Sequence, residues 1–110
     1  MTQEKSYNVV ILPASRGIIP TQVTGTDGPN FKDMYAYLGC TTIEITGATL
    51  NGKDYDLYID EEGRLGPDVI LNEKATQLFN DWLEKEGRTT MIPNIIGNAA
   101  LVERTDDDEL

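Results

Sequence analysis

The chain has no histidine, a single cysteine, and only 9 basic residues against 19 acidic ones. Each shortage removes a class of function. Without imidazole there is no histidine acid–base catalysis and no His-ligated metal. Cys40 has no second thiol for an internal disulfide and no histidine to deprotonate it. Its setting in LGCTTIEI, between a helix and a strand, reads as a small half-buried apolar residue. A net charge of −10 leaves no surplus of cations to displace the counterions of nucleic acid or to hold an anionic lipid surface. No stretch reaches the roughly 20 apolar residues of a membrane-spanning helix. The apolar run at residues 9–12 is too short for a signal-peptide core, so a cytoplasmic location is expected.

What is present suits one small globular domain. The 110 residues are 39% hydrophobic and 25% charged, enough for a core without disulfides or metals. Residues 1–6 read as a flexible N-terminus, 7–103 as a single domain and 104–110 as an acidic disordered tail. Four of the acids stand in the last five residues, which leaves residues 1–105 with 15 acids, 9 bases and a net −6. Much of the charge therefore serves solubility.

Hydrophobic spacing predicts seven elements. Residues 7–12 (YNVVIL) and 18–23 (IIPTQV) read as strands, the second demoted to an edge by Pro20. Asn30 caps a short helix whose Phe31, Met34, Tyr35 and Leu38 recur at helical spacing before Gly39. Residues 41–46 alternate, with Ile43 and Ile45 inward and Glu44 outward. Asn51-Gly52 then signals a hairpin into residues 53–60. There Tyr55, Leu57 and Ile59 share one face, and Asp54, Asp56, Tyr58 and Asp60 the other. Asn72 caps a longer helix over 73–86 with the apolar stripe Ala75, Leu78, Phe79, Trp82 and Leu83. Residues 95–102 (IIGNAALV) read as the last strand, with Gly97 as a bulge. The order β-β-α-β-β-α-β predicts an α+β fold: a mixed or antiparallel sheet of about five strands with both helices mainly on one face. The other face is then polar or covered by a partner, and a homodimer remains open.

The runs LGCTTIEI, DLYIDEEGRL, ILNEKATQLF and IIGNAALV together resemble the domain-of-unknown-function family numbered thirty-eight forty-six, carried by bacteriophages and mobile elements. Gly39-Cys40 stands where that family has a glycine pair, and Asp60 where asparagine is common before Glu61-Glu62-Gly63. Asn72, Ala75 and Gly97 keep the family pattern, and the resemblance spans about residues 7–102. It implies an accessory protein acting inside a bacterial host. It implies no activity.

Carboxylates are the remaining source of chemistry. With Asp54 as the first position of a calcium loop, Tyr58 and Ile59 fall where a ligand and a glycine belong, so that pattern fails. No metal, cofactor or catalytic residue is expected. Trp82 reads as core rather than as a ligand platform. The acid-and-tyrosine strand face and its turn, Asp54, Asp56, Tyr58, Asp60, Glu61 and Glu62, form the candidate interaction surface, although Tyr58 alternatively fills the second sheet face. The expectation is a non-enzymatic module that binds a host bacterial protein. One alternative is an acidic DNA mimic that blocks a nuclease or restriction enzyme. Another is a sponge for a nucleotide signal, with Arg16, Arg64 and Arg88 as phosphate partners. Direct nucleic-acid binding and membrane attachment are not expected.

Overall fold

A computed structural model describes residues 5–13, 19–25, 28–62, 70–88 and 94–103. Residues 1–4, the tail from 104, Gly63, Arg16 and Arg64 lie outside the described residues. In chain order the elements are β1 (Lys5–Leu12), β2 (Ile19–Gly25), α1 (Phe31–Leu38), β3 (Ile43–Leu50), β4 (Lys53–Asp60), α2 (Glu73–Lys85) and β5 (Ala99–Glu103). The fold is α+β. The five strands form one antiparallel sheet in the order β2-β1-β5-β4-β3. No helix among the described residues is long and apolar enough to cross a membrane.

Local chemistry sets the boundaries. Asn51 and Gly52, at φ 53° and 80°, make the left-handed two-residue turn that joins β3 to β4 in the register Leu50↔Lys53. Asn30 Oδ1 accepts from Lys32 N at 2.9 Å to open α1, and Gly39 N–H donates to Tyr35 O at 2.8 Å to close it. β1 begins before the expected residue 7: Lys5 and Ser6 pair with Gly25 and Thr24. β5 begins later than the expected residue 95. The backbone of residues 95–97 turns instead to the start of α2, where Ile95 O accepts from Asn72 N and Gly97 N–H donates to Ile70 O, each at 2.8 Å. Gly97 therefore precedes the strand instead of bulging it.

The helices lie on opposite faces of the sheet, which corrects the expectation that both cover one. On the first face, Met34 and Leu38 of α1 pack with Val9, Ile11, Ala100 and Val102. On the second, Ala75 and Leu78 of α2 pack with Leu12, Leu57, Ala99 and Leu101. The reason is written in the central strands: successive residues of β1 and β5 are apolar and point to opposite faces, so each face needs cover. Coverage is unequal. α1 has only 8 residues, and among the described residues Ile45, on the β3 side of the first face, is left 46% exposed.

Helix α2 starts beside β1 and β5, where Asn72 is 1% exposed and its Nδ2 donates to Leu12 O and Gly97 O. It ends at the β3 margin. There a Cβ on Gly47 would stand 2.3 Å from the Trp82 indole, a separation no side chain tolerates. Gly47 is thus the residue that lets the helix end close over the strand. Trp82 is half-buried, with Phe79 stacked at 6.2 Å on one side and the Arg88 guanidinium 5.5 Å from its ring centroid. Its Nε1 is buried with no hydrogen-bond partner among the described residues.

Candidate interaction surface

The antiparallel register of the β3–β4 hairpin places Ile43, Ile45, Gly47 and Thr49 beside Asp60, Tyr58, Asp56 and Asp54 respectively. All eight belong to the first sheet face, because alternate residues of a strand share a face. The partition of β4 expected from its sequence holds: Tyr55, Leu57 and Ile59 belong to the core under α2, and the acids to the other side.

The six candidate residues nevertheless have different roles. Tyr58 is 6% exposed and belongs to the core of the first face, with the Phe31 ring 6.1 Å from its own. Burial raises its phenol above the ordinary tyrosine range, and the charge of Asp56 and the nearby Tyr7 add to the rise. The alternative reading of Tyr58, as filler of the sheet face, is what the packing shows. Asp54 accepts from Thr49 Oγ1 at 2.8 Å and meets Lys85 Nζ of α2 at 2.9 Å. Asp60 Oδ1 accepts from the Glu62 backbone N–H at 2.9 Å, and Glu62 Oε1 accepts from Thr42 Oγ1 at 3.0 Å. These two acids shape the turn after β4. Asp56 is half-buried beside Gly47 on β3 and Val102 on β5, and Glu61 is exposed on the turn.

Three apolar residues that the sequence placed in the core complete the surface. Phe31, Tyr35 and Ile45 are 46%, 36% and 46% exposed. Phe31 is the hinge of the group, 6.2 Å from the Tyr35 ring and 6.1 Å from the Tyr58 ring, and Tyr58 is the register partner of Ile45. Spacing along α1 and β3 marks all three as inward because both elements are amphipathic; only the shortness of α1 hinted that its stripe would overhang the sheet.

Cys40 is half-buried, and burial with the nearby Asp60 carboxylate raises its thiol, only partly offset by a hydrogen bond from the Thr42 backbone. A thiol held protonated is a poor nucleophile. Among the described residues no three carboxylate or thiol groups converge to hold a metal ion. No family model matches this chain, and neither does any curated protein or solved structure.

Proposed function

We propose that this chain is a non-enzymatic protein-binding module, of the bacteriophage or mobile-element kind its sequence resembles. It docks a host bacterial protein on the uncovered part of the first sheet face. The observation that carries this reading is the exposure of Phe31, Tyr35 and Ile45, linked through the Phe31 ring to Tyr58 and from Tyr58 to its register partner Ile45, with Asp56 and Asp60 on the same strand face. Aromatic rings bury much area at little rotameric cost, and apolar anchors inside a charged rim are the composition of interface centres.

The two alternatives draw less support. A phosphate mimic needs an unbroken file of acids, and here Lys85 stands on Asp54 while Lys53 meets Glu103 at 2.9 Å. A nucleotide sponge needs convergent arginines. Arg88 lies over the Trp82 ring, and Arg16 and Arg64 are outside the described residues.

Photo-crosslinking in a bacterial host cell tests the proposal, with the reactive side chain substituted at Tyr35 and, as a control, at the exposed Glu84 of α2. The expected result is one dominant protein adduct from the Tyr35 position, absent from the Glu84 position and lost on Ile45→Asp. Equal, diffuse labelling from both positions would count against it.

A further inference from the structure

The open margin of β3 supplies the surface with a mode of recognition. β3 is an outer strand, and Thr42 O accepts from Glu61 N at 3.3 Å. That bond fixes the parity of the ladder: residues 44, 46, 48 and 50 direct their backbone groups to β4, and Ile43, Ile45, Gly47 and Thr49 direct theirs outward. Outer strands are normally guarded against pairing by proline, lysine or a covering element. The other outer strand, β2, carries Pro20. The Gly47 end of β3 lies under Trp82. Between Ile43 and Ile45 there is no such guard among the described residues, and the one charged side chain of the strand is Glu44.

We infer that an extended segment of the partner, alternating apolar and basic side chains, adds to the sheet as a strand beside Ile43 and Ile45. This rests on the protein-binding reading above and names its geometry. An added strand places alternate side chains on opposite faces. Those on the first face meet the exposed Ile45 beside them on β3, which selects apolar residues. Those on the second face lie next to Glu44, exposed on that side, which selects lysine or arginine. Glu61 and Glu62 on the turn after β4 extend the acidic border at the same end. Charge also decides between occupants: a cationic segment is attracted by a chain of net −10, and a second copy brings −10 against −10.

The test uses the full chain, isotopically labelled, and the blocked peptide KVKVKVK as the probe. The expected result is shifted and exchange-protected backbone amides at Ile43 and Ile45. Binding should weaken by about tenfold or more when alternate peptide amides are N-methylated, because each methyl removes a ladder hydrogen bond. Ile45→Lys and Glu44→Lys, both at exposed positions, should weaken it similarly while leaving the circular dichroism unchanged. Equal binding by KGKGKGK, or shifts at acidic residues with none at β3, overturns the inference. So does a dimer of the unliganded chain with protected β3 amides, since a second copy is then the occupant. If the crosslinked partner complex leaves the β3 amides unprotected, strand addition fails and the binding module stands. If no partner crosslinks at Tyr35 either, both fail.

Discussion

The Nδ2 of Asn72 lies 2.7 Å from the carbonyl oxygen of Leu12, sixty residues earlier in the chain. Its other hydrogen goes to Gly97 O at 2.8 Å, and its Oδ1 accepts from Ala75 N at 3.0 Å. One buried amide therefore joins the end of β1, the approach to β5 and the first turn of α2.

Replacing that amide should cost more than a helix cap alone. Asn72→Ala removes the amide donor from the buried Leu12 O and the half-buried Gly97 O and uncaps Ala75 N–H, a loss of about 3 kcal/mol in all. Asn72→Asp keeps the cap acceptor but sets a carboxylate against two carbonyl oxygens. Its carboxyl is then easier to protonate than to ionise, so the folded pKa rises above the unfolded one, and the deficit grows as pH climbs from about 4 to 7. Urea denaturation followed by the fluorescence of Trp82, the single tryptophan, measures both. A cost near 1 kcal/mol for Asn72→Ala would show that the two carbonyls find water instead.

Gly47 and Trp82 should behave as a coupled pair. Gly47→Ala forces the indole away and should destabilise the fold by about 1–3 kcal/mol, the usual penalty of overpacking. Trp82→Leu alone opens space at the same place, and Gly47→Ala added to it should then cost much less than in the parent chain. A double-mutant cycle by thermal denaturation reads the coupling. Strict additivity would mean that the helix end shifts bodily to accommodate the new methyl.

Tyr58 gives the fold an alkaline limit. Its phenol is raised in the folded chain by burial and by Asp56, so the folded state holds that proton more tightly than the unfolded state does. The resulting stability is fully present below the ordinary tyrosine pKa of about 10 and is lost as pH rises through the folded value. Denaturation midpoints should fall between about pH 10 and the raised value, and less steeply in Tyr58→Phe. The same substitution should remove from the phenolate absorbance titration a component raised above the ordinary tyrosine range. An unchanged midpoint slope in Tyr58→Phe would place the alkaline sensitivity elsewhere.

Features decided by near neighbours were legible from the sequence. The Asn30 and Asn72 caps, the Asn51-Gly52 turn and the two-sided partition of β4 depend on residues within a few positions, and all are found. The placement of the helices was not read correctly, although the run Ala99 to Val102 carried the signal. Four consecutive buried apolar residues lack the alternation of a strand wet on one side, and such a strand requires cover on both faces. Tyr58 misled because it stands among aspartates. The polarity of its sequence neighbours says nothing about Phe31, which covers it from a different element. The exposure of Phe31 and Ile45 was equally hidden, since a helical or strand period identifies which way a residue points but not whether anything lies there.

The position of β5 between β1 and β4 has a consequence for how the chain acquires its structure. The β1–β2 and β3–β4 hairpins share no ladder; each pairs only internally and with the final strand. An isolated two-stranded hairpin is marginal in water. Among the described residues no backbone ladder joins the two ribbons until Ala99–Glu103 is in place, and that strand acts as the keystone that makes them one sheet.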